Sequence, residues 1–284
     1  MKKAAFLIFL FFSLSISAWA QPGISLAQSE LYPGQTLSVI FKTDEEVQDA
    51  YVSLLGKYYA LYPMEKKGYF RSIVPIPLEI ESGYYQVYVI YNNSNIGGTI
   101  KQVERFHVLK DQYPSIYLSF QPKKQKLLSP VLVNNDWDII GAAVQKKTAQ
   151  QLWSGKFILP CQGYFTSPFG EKRKIGKSIS RHRGLDIGSV LKEKTNIIAT
   201  NSGQVVLARY FKVFGNTVVI DHGQGIFSLY FHLSKILAQE GQFIKKGEKL
   251  GKMGTTGVST APHLHWGMSV QDVRVEPKQW LDIE

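Results

Sequence analysis

The chain of 284 residues contains a single cysteine, Cys161. That excludes an intrachain disulfide framework, so stability has to come from apolar cores or from a bound metal. Acidic residues are scarce: 22 Asp and Glu stand against 33 Lys and Arg, a formal net charge of +11. Charged side chains make up only 19 % of the total and hydrophobic ones 44 %, a composition that excludes a disordered chain. Long apolar runs are missing beyond the first twenty residues, so no later segment is expected to span a bilayer. No G-x-x-x-x-G-K-[ST] stretch offers a phosphate loop, and no H-E-x-x-H helix offers the glutamate base of many zinc proteases.

At the N-terminus, Lys2 and Lys3 precede an apolar run from Ala4 to about Ile16, and Ser17-Ala18-Trp19-Ala20 supplies a small-x-small cleavage site. Residues 1–20 read as a secretory signal peptide. An uncleaved anchor helix is the alternative, disfavoured because the run falls short of the roughly 20 residues a span needs. The residue directly after the cleavage site is Gln21 and not a cysteine, so a lipoprotein is not expected. Export to the periplasm or cell wall argues against nucleic acid as the partner and against stable membrane insertion after cleavage. The positive charge should then meet an anionic wall polymer. It is lopsided: residues 21–120 carry 8 basic and 10 acidic side chains, and residues 121–284 carry 23 and 12.

From Ile24 to about Leu109, short alternating runs separated by Pro33-Gly34, Asn92-Asn93 and Gly97-Gly98 predict strands at 37–41, 50–55, 58–62, 69–74, 84–91 and 99–108. Six or seven strands over residues 21–110 fit an immunoglobulin-like β-sandwich, with Ser82-Gly83-Tyr84-Tyr85 placed where such folds carry a corner tyrosine. Residues 111–155 read as a linker. It opens with Pro114, Pro122 and the basic run Lys123-Lys124-Gln125-Lys126, expected to be exposed and mobile. A helix should follow, capped by Asn135 or Asp136, with Trp137, Ile140, Val144 and Leu152 near one face and Lys146 and Lys147 toward solvent. Residues 156–284 return to glycine-punctuated β runs, so the fold class is mainly β with a helical linker between two β domains.

Five of the six histidines fall between positions 182 and 265. The first cluster is His182-Arg183-Gly184-Leu185-Asp186. The last is His263-Leu264-His265, where the two-residue period of a strand puts both imidazoles on one face and sends Leu264 and Trp266 to the other. His232 closes the strand-like run Ser228-Leu229-Tyr230-Phe231-His232, and Tyr230, two residues earlier, is a candidate to border the same site. Imidazole and carboxylate are zinc ligands, and a catalytic zinc keeps about three of them and an open position. The residues alone leave open which of His263 and His265 would bind. Cys161 reads as a small buried residue and not a thiol nucleophile. His222 reads as structural or solvent-exposed and His107 as incidental.

Taken together, several pieces resemble the lysostaphin-type, or LytM-domain, zinc metalloendopeptidases that cut peptidoglycan peptides, over about Phe157 to Val270. They are Thr166-Ser167-Pro168-Phe169-Gly170 with Arg173 after it, His182 through Ile187, Gly203-Gln204-Val205, Gly215 through Gly223, Tyr230-Phe231-His232-Leu233, and Gly254 through Trp266. The resemblance implies a LytM-type antiparallel-β domain with Zn²⁺ on the floor of a groove walled by loops 171–181 and 210–216. It implies His182, Asp186 and His265 as metal ligands. His232 and His263 would stand beside the metal as base or transition-state stabiliser.

The function so implied is a secreted zinc metalloendopeptidase acting on peptidoglycan cross-links or stems. The alternatives are a non-catalytic LytM-type regulator of cell-wall amidases, or a zinc peptidase acting on Gly-rich protein. The N-terminal domain is expected either to dock on the wall or a protein partner, or to help the linker restrain the enzyme, with Asn134 or Asn135 as a candidate fourth ligand.

Overall fold

The structure is a computed structural model that describes residues 22–44, 47–93, 97–119, 121–146, 148–176 and 178–283. The signal peptide expected at residues 1–20 and Lys147 lie outside the described residues. The chain is mainly β, and among the described residues no helix is long and apolar enough to cross a membrane.

Among the described residues nine strands form the first half: β1 (Gly23–Leu26), β2 (Glu30–Leu31), β3 (Thr36–Lys42), β4 (Val47–Leu54), β5 (Lys57–Ala60), β6 (Tyr62–Pro63), β7 (Tyr69–Pro75), β8 (Gly83–Asn93) and β9 (Gly98–Val108). They pair as β1-β3-β7-β6 and β2-β9-β8-β4-β5, the two-sheet arrangement of an immunoglobulin-type sandwich. Alternation in β3 sends Leu37, Val39 and Phe41 inward, and β8 does the same with Val87, Val89 and Tyr91, so the two sheets share one apolar core. Tyr85 is the corner tyrosine: its hydroxyl donates to the carbonyl of Glu81 at 2.9 Å. The short strands β1 and β2 were not anticipated. β2 is only two residues long and pairs parallel to β9, too short to show a periodicity.

The second half contains β10 (Ser115–Tyr117), β11 (Tyr164–Ser167), β12 (Lys172–Ile175), β13 (Ser178–Arg181), β14 (Leu185–Gly188), β15 (Asn196–Ile198), β16 (Gly203–Phe211), β17 (Gly215–Gly223), β18 (Ile226–Leu233), β19 (Lys235–Ile236), β20 (Phe243–Ile244), β21 (Lys249–Lys252), β22 (His263–Val270) and β23 (Val273–Val275). The main sheet runs β11-β14-β22-β18-β17-β16-β20, antiparallel throughout, with β23 also on β22. One face packs on a core containing Leu185, Ile187, Leu264, Trp266 and Trp280. The other carries Leu229 and Phe231, which pack against a linker helix.

Between the halves the chain stays in contact with both. β10 adds in parallel to β12, and Asp111 ion-pairs with Arg181 at 2.5 Å and Lys172 at 3.1 Å. Two helices follow, α1 (Pro122–Gln125) and α2 (Pro130–Val144). α2 begins five residues before the expected cap at Asn135, because Ser129 is extended and Pro130, which lacks an N–H to leave unsatisfied, opens the first turn. Asn134, Asn135 and Asp136 are therefore inside the helix, and Leu152 lies beyond its end. Ile140 and Val144 are buried, with Trp137 packed beside them. The basic run is exposed at Lys123, Gln125 and Lys126, whereas the Lys124 ammonium donates to the Ser259 carbonyl.

Polar clamps fix the sandwich on the second half. The Gln279 amide receives the Thr36 N–H at 2.7 Å and donates to the Thr36 carbonyl at 2.9 Å, and Glu276 N–H donates to the Gly34 carbonyl at 2.8 Å. Gly34 has φ +85°, and a Cβ there would lie 2.3 Å from the Phe169 ring, so only glycine fits that junction.

Candidate metal centre

Three neighbouring strands build the centre. In β14 and β22, Asp186 stands directly opposite His265, and His265 in turn stands opposite Phe231 of β18. His182 reaches in from the loop before β14. The alternation of His263-Leu264-His265 has the expected sense: Leu264 and Trp266 are fully buried in the core, and the two imidazoles face the groove. His182 Nε2 lies 2.9 Å from His265 Nδ1 and 3.1 Å from Asp186 Oδ1, and His265 Nδ1 lies 2.9 Å from Asp186 Oδ1.

Three ligand atoms thus converge on one point, the one group of this kind found among the described residues. The donor set fits a zinc ion. His182 Nδ1–H donates to the Pro168 carbonyl at 2.8 Å, so its neutral tautomer turns a bare Nε2 toward the other two atoms. Two imidazole nitrogens and a carboxylate oxygen then share at most one hydrogen, a crowding of lone pairs that a cation relieves. Burial holds His265 well below its ordinary pKa. Asp186 is held well below the carboxylate range: burial opposes this, and the hydrogen bonds and charges of His182 and His265 outweigh it.

Close packing holds the ligands in place. A Cβ at Gly184 would lie 2.4 Å from His265 Nε2, so the glycine of the His182–Asp186 stretch makes room for the second imidazole. The Phe231 ring stacks on His265, with centroids 5.2 Å apart and planes 8° apart. Arg173 donates to Asp186 Oδ2 at 2.8 Å, leaving Oδ1 for the centre, and to Ser167 Oγ at 2.8 Å and Glu171 Oε1 at 3.1 Å. In the sequence Arg173 stands out only as part of a motif. Its role could not be read there because Ser167, Glu171 and Asp186 meet it only through the fold.

His232 and His263 stand beside the cluster. Each is oriented through Nδ1, His232 by the Thr256 carbonyl and His263 by the Ala261 carbonyl, both at 2.8 Å. With Nδ1–H donating, Nε2 is the free, proton-accepting nitrogen of each ring. His263 Nε2 is 3.8 Å from Asp186 Oδ1, and the His232 and His263 rings are 5.1 Å apart. Burial, then the charge of His263, pushes His232 down to about 4, so it is neutral at pH 7. His232 also has φ +63°, a left-handed backbone uncommon for a side-chain-bearing residue, held by its own N–H donating to the Phe214 carbonyl at 3.0 Å.

That turn breaks the alternation of β18 and corrects the placement expected for Tyr230. Tyr230 does not border the site. It is fully buried on the core side, its hydroxyl receiving the Thr200 N–H at 2.9 Å and lying 3.0 Å from Ser228 Oγ. His222 is structural, fully buried and 2.7 Å from both the Ser202 carbonyl and Ser228 Oγ. Cys161 is buried and its thiol is pushed up to about 12 by desolvation, which leaves no thiolate. His107 stacks on Tyr84 in the sandwich.

The cluster opens into a groove of 660 Å³. Arg173, Ile175 and Arg181 wall one side and Val213 and Phe214 another, within the expected stretches 171–181 and 210–216, but the first is the paired strands β12 and β13 and not a loop. The rest of the wall comes from Leu128, Val133 and Trp137 of the linker and Pro77 and Glu79 of the sandwich, and not from Asn134 or Asn135, the linker residues considered for the centre. Glu79 ion-pairs with Arg183 at 2.5 Å, next to His182 of the cluster.

Comparison with known proteins matches the description "Peptidase family M23" to residues 180–277. Over 97 residues the chain is 37 % identical to peptidoglycan DD-endopeptidase ShyA of Vibrio cholerae, a stretch covering 34 % of this chain and 22 % of ShyA. Over 127 residues it is 29 % identical to murein hydrolase activator EnvC of Escherichia coli, covering 45 % of this chain and 29 % of EnvC. The chain therefore matches less than a third of the length of these curated relatives. A crystal structure of a peptidase M23 candidate from Pseudomonas aeruginosa superposes with TM-score 0.63 at 28 % identity, covering 88 % of this chain and 94 % of the other. The His182, Asp186 and His265 cluster lies wholly inside the matched residues, and the chain carries a peptidase family M23 domain of LytM/lysostaphin type.

Proposed function

We propose that the protein is an exported zinc metalloendopeptidase that hydrolyses peptide bonds in peptidoglycan. The observation that carries the proposal is the convergence of His182 Nε2, Asp186 Oδ1 and His265 Nδ1, with two further imidazoles oriented beside them. His182, Asp186 and His265 would hold the zinc. Bound there, zinc supplies Lewis-acid polarisation of the scissile carbonyl and acidifies a water for attack.

The remaining chemistry belongs to the chain itself. His232, neutral and with Nε2 free, is the group suited to accept the proton of the attacking water. His263, also anchored through Nδ1, is placed to hold a proton near the developing oxyanion or to pass it to the leaving amine. The fixed carbonyl partners keep both rings in one tautomer, so neither has to reorient during a turnover. Arg173, donating to Asp186 Oδ2, leaves Oδ1 turned toward the position the zinc would occupy. The basic second half attracts the carboxylate-bearing wall, an attraction that weakens as salt rises.

A second reading is a non-catalytic activator of wall amidases, as the similarity to EnvC allows. Against it, all five positions of the centre are filled. Mass spectrometry of fragments released from purified sacculi by wild-type protein and by His182→Ala separates the readings. Endopeptidase action releases cross-link fragments cut between D-alanine and diaminopimelate in the wild-type lane alone. Fragments appearing only when an amidase is added, and cut at amidase bonds, would support the activator.

A further inference from the structure

Among the groove side chains, Arg274 has hydrogen-bonding capacity that the proposed reaction does not use. It sits on β23 opposite Ser269 and reaches back across β22, where Gly267 leaves a notch for it. A Cβ at Gly267 would lie 1.7 Å from Arg274 Nη2, so the glycine two residues after His265 exists in this chain alongside a guanidinium that fills its place. Arg274 is only 4 % exposed.

Among the described residues its charge has no partner of opposite sign. Nη2 donates to the Arg183 carbonyl at 2.8 Å, and Nε is buried without a hydrogen-bond acceptor. No carboxylate pairs with it among the described residues. Arg183 is a like charge and is itself committed to Glu79. The rings of Trp137 and Phe231 lie against the guanidinium, 5.6 and 5.9 Å from its carbon, and neither accepts its N–H donors in a conventional bond. Desolvation, then Arg183, lowers its proton affinity to about 9, so it still carries its charge at pH 7.

A buried guanidinium without an anion is strongly unfavourable unless something supplies the anion. A planar fork of N–H donors matches the two oxygens of a carboxylate. The position is also suited to substrate, because Phe231 touches both Arg274 and the ligand His265, and all three line the same groove.

We propose that Arg274 is the receptor for a free carboxylate of the bound peptide, next to the bond to be cut, and that it makes the enzyme prefer anionic peptides over amidated ones. This rests on the peptidase reading of the groove. It assigns the recognition to one residue and one chemical class, which the metal cluster alone does not.

The test uses the metal-loaded full chain and two cross-linked muropeptide dimers that differ only in having their free carboxylates intact or converted to carboxamides. The expected wild-type preference for the carboxylate form in kcat/KM is roughly tenfold to a hundredfold, the scale of one charge-assisted contact. In Arg274→Gln the two forms should converge, and Arg274→Lys should restore part of the preference. Zinc content, measured on each variant, separates loss of the anion contact from damage to the centre. Calorimetric binding of the same two dimers is run in parallel, so that failure of the peptidase reading does not leave the proposal unanswered. Tighter binding of the carboxylate form by wild type but not by Arg274→Gln supports it even without turnover. Equal affinity for the two forms, or the same ratio in wild type and Arg274→Gln, overturns it.

Discussion

His222 shows how much a single buried side chain can tie stability to pH. Its Nδ1–H donates to Ser202, and its Nε2 accepts from Ser228, which continues to Tyr230 and Thr200. Desolvation pushes the imidazole down to about 4 from an ordinary 6.5. Because the folded value is depressed, the unfolded chain binds the proton first as pH falls. The contribution is intact above about pH 6.5 and is lost progressively toward pH 4, amounting to roughly 3 kcal/mol in all. Urea unfolding of His222→Gln should show a lower stability at pH 7 and a shallower decline between pH 6.5 and 4 than wild type. Equal declines in the two proteins would assign the acid sensitivity elsewhere. At this scale the sequence was informative where side-chain chemistry and strand period sufficed, as for His263 and His265. It misled at Tyr230, because a left-handed φ at His232 is a property of the fold that the two-residue period does not carry. Arg274 escaped notice for a similar reason: its isolation depends on what fails to approach it in three dimensions.

Helix α2 illustrates the element scale. Its apolar stripe was legible, since Trp137, Ile140 and Val144 recur at helical spacing and do face β16 and β18. Its start was not, because Asn135 and Asp136 look like caps while Pro130 is the residue that opens the helix. Asp136 has another use: it is nearly buried, and its carboxylate accepts the N–H of Val213 at 2.6 Å. The linker helix thereby holds the loop between β16 and β17, whose Phe214 carbonyl fixes His232. Asp136→Ala leaves the Val213 N–H without an acceptor and is expected to cost about 1–3 kcal/mol in chemical denaturation. Hydrolysis should fall as well, because the anchor of His232 loosens. Unchanged stability would show that water or another acceptor replaces the carboxylate.

At the scale of the whole molecule, the sandwich and linker form part of the groove as well as standing beside it. Lys124 bridges to Ser259, whose hydroxyl lies 3.1 Å from His263 Nδ1, and Leu128, Val133 and Trp137 line the cavity. On the proposed function, a wall peptide entering the groove meets this segment. Lys124→Ala in the full chain is therefore expected to hydrolyse sacculi faster than wild type, whereas an equal or lower rate would show that the segment does not restrain access. Two β domains and a basic second half could be read from alternation and charge, but the contribution of the linker to the cavity could not. Those contacts join distant residues, 135 positions apart for Lys124 and Ser259 and 77 for Asp136 and Val213. The claim on which all of this depends is that His182, Asp186 and His265 hold one catalytic zinc. It is tested most directly by metal analysis of the purified full chain together with sacculus hydrolysis before chelation, after chelation and after zinc is returned. The account predicts one zinc per chain, activity lost with the metal and regained with it, and neither zinc nor activity in His182→Ala; hydrolysis undiminished by complete removal of the metal would contradict it.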